Sequence, residues 1–131
     1  KMKRIFAFIL SIFSLVVISS CDGDPTNSIS YERITAEQAK ALMDTERDYI
    51  IIDARTQSEF DEGHIPGAIL IPEYEIAERA ERELPNKDQL ILVYCRSGRR
   101  SKIAAQALVD LGYTNVKEFG GIIDWQYDIT K

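Results

Sequence analysis

Apolar residues in this chain gather into short blocks separated by polar, turn-forming stretches. Tyr49-Ile50-Ile51-Ile52 and Leu90-Ile91-Leu92-Val93-Tyr94 are continuous apolar runs of strand length, the first closing at Asp53 and the second at Cys95. Continuous rather than alternating apolar character marks strands buried on both faces. Shorter runs at Tyr31 to Ile34, at Ala68 to Ile71 (closed by Pro72) and at Val116 to Phe119 predict three more strands. Helix signals fall between them. Thr35 with Gln38 forms a capping-box pattern opening a helix to about Met43, and Thr56 with Glu59 forms a second, opening a short helix that stops before Gly63. Ile76, Ala80 and Leu84 recur every four residues with Glu and Arg between them, the signature of one amphipathic helix. A further helix is predicted from about Arg100 to Leu111, with Ile103, Ala104, Ala107, Leu108 and Leu111 as its apolar positions and Gly112 where a C-terminal cap would be. A last short helix is expected from Gly121 to about Gln126. Strands alternating with helices predict an α/β fold in three layers: a mainly parallel central sheet with helices on both faces.

The amino-terminal part follows another pattern. Lys1, Lys3 and Arg4 form a positive cluster, Ile5 to Ile18 is apolar except for Ser11 and Ser14, and Ser19-Ser20 precedes Cys21. This is signal-peptide anatomy, with an apolar core short for a membrane span. A branched residue, two small ones and then cysteine resembles the bacterial lipobox, which implies lipidation of Cys21 and a membrane partner through that lipid. An uncleaved anchor, or a non-lipid signal peptide cut near Ser20, is the alternative. The expected organisation is therefore a lipoprotein-type signal at 1–21, a flexible polar tether at 22–29 and one domain at 30–131. The expected location is the bacterial cell envelope, exported and lipid-anchored.

Charge and cysteine usage narrow the function. The chain has 16 basic and 21 acidic side chains, a net charge of −5. Residues 1–21 hold three of the basic and none of the acidic ones, so the rest carries 13 against 21, a net −8. That acidity argues against a nucleic-acid partner. With Cys21 lipidated, Cys95 is the single remaining thiol, and no internal disulfide can form.

Cys95 is followed by Arg96-Ser97-Gly98-Arg99-Arg100-Ser101, three arginines on an acidic background. A cysteine at the carboxyl end of a buried strand stands where open α/β sheets place their ligands. The residues after it can turn their N–H groups inward and close on a helix N-terminus. Backbone amides and guanidinium charge both favour thiolate over thiol, so the pattern describes an activated nucleophile beside an anion cradle. The bland alternative is a buried, inert cysteine.

Four motifs occur in order: Ile51-Ile52-Asp53-Ala54-Arg55; Glu59-Phe60 with Gly63-His64-Ile65-Pro66-Gly67-Ala68; Tyr94-Cys95-Arg96-Ser97-Gly98-Arg99-Arg100-Ser101; and Gly120-Gly121-Ile122-Ile123-Asp124-Trp125. Together they resemble a single-domain rhodanese over roughly Tyr31 to Trp125, with Leu70 a small departure where that family often has Asn. The resemblance implies a sulfurtransferase in which Cys95 takes sulfane sulfur from thiosulfate or polysulfide as a persulfide and passes it to a thiol or cyanide. Arg96, Ser97, Gly98, Arg99 and Arg100 would form the substrate-binding loop. Two alternatives use the same fold: a persulfide carrier or sensor without turnover, and an interaction module. Cell-cycle-type phosphatases share the fold too, but their loop is one residue longer and places arginine where this chain has Ser101, which disfavours phosphatase or arsenate reductase chemistry.

Individual residues carry competing readings. Arg96 and Arg99 are expected at the pocket mouth, whereas Arg100 reads equally as a pocket residue or a surface residue at the helix start. Ser101 reads as the helix N-cap or a first-turn residue. The resemblance puts Asp53 and Arg55 at a possible active-site rim; Asp53 at a strand end reads more simply as a loop-fixing acceptor, and Arg55 stays open. Glu59 reads first as the capping partner of Thr56. His64, the single histidine, belongs to a structural turn in that family rather than to a Cys–His pair. Trp125, Gly120 and Gly121 read as packing and close backbone approach. No nucleotide loop, metal cluster or flavin motif is present, and no cofactor is expected.

Overall fold

In the computed structural model, which describes residues 30–131, five strands form one sheet in the order β1-β5-β4-β2-β3. The strands are β1 (Glu32–Arg33), β2 (Tyr49–Asp53), β3 (Ile69–Leu70), β4 (Leu90–Cys95) and β5 (Val116–Gly121). Every pairing between them is parallel. Helices α1 (Ala36–Thr45), α2 (Gln57–Glu62), α3 (Ile76–Glu83) and α4 (Arg99–Asp110) make the crossovers. The signal segment, the tether and Cys21 lie outside the described residues.

The two continuous apolar strands occupy the middle of the sheet because each has a core on both sides. Along β4 the side chains alternate. Ile91, Val93 and Cys95 join Ile76 and Ala80 of α3, Leu84 at its C-cap, and Ala104, Ala105 and Leu108 of α4 in one core. Leu90, Leu92 and Tyr94 join Ala39 of α1, Ile65 and Phe119 in the other. This is the expected three-layer α/β arrangement.

Several local expectations change. Thr35 and Gln38 form the full capping box, Gln38 N–H donating to Thr35 Oγ1 and Thr35 N–H to Gln38 Oε1. At α2 only half of it forms: Glu59 N–H donates to Thr56 Oγ1, while the Glu59 carboxylate is taken by an arginine described below. The final helix is replaced by a longer β5 and one 3₁₀ turn, Ile122–Asp124. Gly121 pairs with Cys95 in the sheet, which holds its backbone extended where a helix would have to begin.

Asp53 and Arg55 are not at a rim. Asp53 has no exposed surface and Arg55 is 5% exposed. Arg55 Nε and Nη2 grip the Asp53 carboxylate at 2.9 and 2.6 Å, and Nη2 also donates to the Gly63 carbonyl at 2.7 Å. Tyr94 donates its hydroxyl to Asp53 Oδ2 at 2.6 Å and accepts the Ile65 N–H at 3.1 Å. A buried carboxylate is tolerated only with its lone pairs filled, and here four donors fill them, the fourth being the Arg55 backbone N–H at 2.9 Å. The network ties the ends of β2 and β4 to the turn at residues 63–65. Burial is the main force pushing the Tyr94 phenol well above its ordinary value, and the Asp53 hydrogen bond adds to it.

Tyr94→Phe leaves the Ile65 amide buried without a partner and removes one donor from Asp53. The expected loss is about 1–3 kcal/mol of stability, read from urea unfolding. An unchanged midpoint would show that the network does not bear on stability.

Candidate active site

Cys95 ends the central strand, where the chain leaving β4 returns on one side to β5 and the chain leaving β2 returns on the other to β3. Such a switch point leaves a crevice at the carboxyl ends of the strands. Residues 96–98 then turn into α4, whose N-cap is Gly98 at φ 104°. That left-handed conformation is open to glycine at no steric cost. The helix therefore begins at Arg99, one residue earlier than its sequence pattern suggests.

The loop rests directly on β5. A Cβ built on Gly121 would stand 2.0 Å from the Arg96 carbonyl oxygen and 2.6 Å from Ser97 Cα. Only glycine permits that approach. Between Val93 and Cys95 the register with β5 shifts by one residue, so that Val93 faces Glu118 and Cys95 faces Gly121. The extra residue is a bulge, a device that re-aims side chains beside functional sites.

With the backbone so placed, the loop amides face inward. Gly98 N–H donates to Cys95 Sγ at 3.0 Å, and the Ser101 hydroxyl oxygen lies 3.4 Å from the same sulfur. Burial pushes the Cys95 thiol up, but hydrogen bonds from the Ser101 hydroxyl and N–H and from the Gly98 and Ser97 N–H groups outweigh it. The net position is below the ordinary thiol value. This is not the environment of an inert core cysteine. The residue nevertheless has no solvent-exposed surface, so a reagent reaches Sγ only when the loop or the side chain moves.

The loop residues divide by environment. Arg96, Ser97 and Arg99 are exposed and Gly98 is buried. Neither Arg96 nor Arg99 has an ion-pair partner among the described residues, which leaves both guanidinium groups available to an incoming anion. Arg100 is neither a free pocket residue nor a plain surface one. It holds Glu59 in a two-pronged pair at 2.8 and 2.9 Å, keeping that carboxylate below its ordinary value chiefly through the hydrogen bond. The pair anchors the start of α4 to α2.

His64 is spent on its turn. Its ring stacks on Phe60 at 3.7 Å, its Nδ1 lies 2.9 Å from the Phe60 carbonyl oxygen, and its backbone bridges Thr130. Trp125 packs against Phe119 at 5.7 Å between ring centres. Among the described residues no three His, Cys, Asp or Glu side chains are placed to hold a metal ion.

The fold adds two contributors to the site, Ser101 and Glu118. Ser101 is a first-turn residue of α4, as one of its sequence readings has it, but rather than capping the helix its hydroxyl oxygen lies beside Sγ and donates to Glu118. Glu118, 1% exposed, accepts the Ser101 hydroxyl at 2.6 Å and the Gly120 N–H at 2.8 Å, both on Oε1. A signal for Glu118 exists in the sequence. Two residues beyond the buried Val116 on a strand, it shares that inward face, and an acidic residue there needs a partner.

Similarity to known proteins agrees with this geometry. Residues 35–128 match the family described as Rhodanese-like domain. The thiosulfate sulfurtransferase PspE of Escherichia coli is 40% identical over 73 residues, covering 56% of this chain and 70% of that protein. A sulfurtransferase of Allochromatium vinosum is 42% identical over 88 residues, covering 66% of this chain and 79% of that one. Other curated relatives are longer, and the chain spans 24% of one and 53% of another. Among solved structures, a rhodanese with anions from E. coli superposes with a TM-score of 0.60 at 36% identity, covering 63% of this chain and 98% of that one.

Two measurements check the site. The alkylation rate of Cys95 is expected to rise with pH through a midpoint below that of a free thiol, because the amides stabilise the ionised form; a midpoint at or above the free-thiol value would contradict it. Gly121→Ala is expected to disorder the loop, since the new methyl group meets backbone atoms that cannot swing aside. Loss of the Cys95 midpoint shift in that variant is the diagnostic result.

Proposed function

The chain belongs to the rhodanese-like domain family, and on that premise we propose that it is a sulfurtransferase whose Cys95 carries sulfane sulfur as a persulfide. The Cys95 thiolate attacks the outer sulfur of thiosulfate or a polysulfide. A new S–S bond forms as the old one breaks, and sulfite, or the shortened polysulfide, leaves with the electron pair. The negative charge then rests on the outer sulfur of Cys95, in reach of the loop amides and of Arg96 and Arg99. A thiolate or cyanide acceptor attacks that outer sulfur in turn, and Cys95 leaves as thiolate, ready for another cycle. Positioned N–H donors aimed at a reacting anion are the main source of stabilisation in such transfers.

The observation that carries this reading is the Gly98 N–H at 3.0 Å from Sγ, at the head of α4. A loop that turns its amides onto a sulfur stabilises a sulfur anion and little else. Six residues from Cys95 to Arg100 make a ring suited to one sulfur, which favours sulfur transfer over phosphate chemistry. The signal-like segment and Cys21 support an envelope location, with the domain tethered by lipid through a short polar linker. A carrier or sensor that stores sulfur without turnover is the second reading, favoured by the burial of Cys95, which slows exchange with solvent reagents.

Thiosulfate is expected to add one sulfur to Cys95 by intact mass, and cyanide to remove it as thiocyanate. Cys95→Ser abolishes both while keeping the unfolding midpoint close to wild type. Loading without catalytic thiocyanate release selects the carrier. No loading from thiosulfate or polysulfide leaves only the interaction module.

A further inference from the structure

Among the buried titratable groups that the mechanism above leaves unused, one reaches the nucleophile through a single hydroxyl. We propose that Glu118 is a positioning residue for Cys95: by drawing the Ser101 hydroxyl proton to itself, it disfavours the thiolate and thereby favours the sulfur-loaded form. The part concerning loading rests on the sulfurtransferase reading; the part concerning the proton does not.

A serine hydroxyl has one proton to give. Around Ser101 Oγ stand the Glu118 carboxylate at 2.6 Å, the Gly98 and Gly120 carbonyl oxygens at 3.1 and 3.3 Å, and Cys95 Sγ at 3.4 Å. A charged acceptor at the shortest distance takes the proton. Ser101 Oγ is then an acceptor, and the Cys95 S–H can donate to it. Ionisation of Cys95 reverses the demand. The thiolate has no proton, so it competes with Glu118 for the one on Ser101, and satisfying either sulfur or carboxylate leaves the other short of a donor.

The persulfide ends the competition. Its charge sits on the outer sulfur, while Sγ becomes a neutral, divalent, weak acceptor, and the Ser101 proton returns to Glu118. Of the three states, only the thiolate forfeits the Ser101–Glu118 bond. The carboxylate thus makes a more willing nucleophile without loss of the stabilisation provided by the amides.

The charges around this chain of groups are few. Glu118 Oε2 meets Arg33 of β1 at 3.5 Å, but that guanidinium is 66% exposed and well solvated. Cys95 interacts with Arg100 of α4, and that arginine also interacts with Asp53 at the end of β2, whose carboxylate is already engaged by Arg55 and Tyr94. None of these groups is placed between Sγ and Glu118 as Ser101 is.

The test is the pH midpoint of Cys95 alkylation in the full chain, which needs no sulfur donor. Glu118→Gln keeps an acceptor for the Gly120 N–H but loses the charge, and is expected to increase the thiolate fraction below the midpoint by roughly 3- to 10-fold. Above the midpoint, where the unloaded form is the thiolate, the ratio of persulfide to free Cys95 at fixed thiosulfate and sulfite falls by a similar factor. Ser101→Ala moves the midpoint up, and in that background Glu118→Gln moves it little. Glu118→Asp, which keeps the charge but draws it back from Ser101, moves the midpoint down as Gln does, and stands in if the Gln variant does not fold. An equal displacement with and without Ser101, or none with either Glu118 variant in a folded protein, overturns the proposal. Absence of sulfur loading in the wild-type protein would sink the transferase reading alone, leaving the midpoint result to decide the proton part.

Discussion

The contact between the Arg96 carbonyl and Gly121 sets the geometry of everything at the head of β4. A side chain at Gly121 would meet backbone at 2.0 Å, so the loop would be lifted off the sheet by any other residue. With the loop down, the Gly98 N–H falls on Cys95 Sγ, and Ser101 comes over the same sulfur from the first turn of α4. A tight loop on a close-packed strand is a rigid frame, and preorganised amides need no reorganisation when charge develops.

At Cys95 two opposing effects act on one thiol. Removal from water disfavours the anion, and four hydrogen-bond donors favour it; the donors win. The same principle explains why full burial and reactivity coexist here. Low dielectric surroundings strengthen every hydrogen bond to the sulfur, and the exposed Arg96 and Arg99 supply attraction for anions at the surface of a chain that is otherwise acidic. The chemistry therefore depends on the short-range placement of dipoles more than on net charge.

Two buried carboxylates flank this arrangement and are stabilised in different ways. Asp53 is locked by Arg55 and Tyr94 into the joint between two strands and a turn. Glu118 is held by a serine hydroxyl, one bulge amide and a largely exposed arginine at 3.5 Å. The first is closed on itself. The second ends on a group that also touches the nucleophile, which couples its charge to the state of the sulfur.

The elements of the fold were legible in the sequence wherever a local rule decides the outcome. Continuous apolar runs marked β2 and β4 as strands buried on both faces, Thr35 with Gln38 opened α1, and a strand ending in cysteine before a glycine-bearing, arginine-rich loop marked the candidate site. Local rules failed where a residue's partner lies far along the chain. Glu59 takes Arg100 rather than completing its box, Gly121 pairs with Cys95 rather than starting a helix, and Arg55 turns inward to Asp53 rather than lining a rim. The connection of Ser101 to Glu118 spans 17 residues and a bulge in β5. Sequence periodicity reports which face a residue occupies, but only the packed sheet decides which buried polar groups must satisfy one another, because that depends on strand order, register and the approach of one backbone to another.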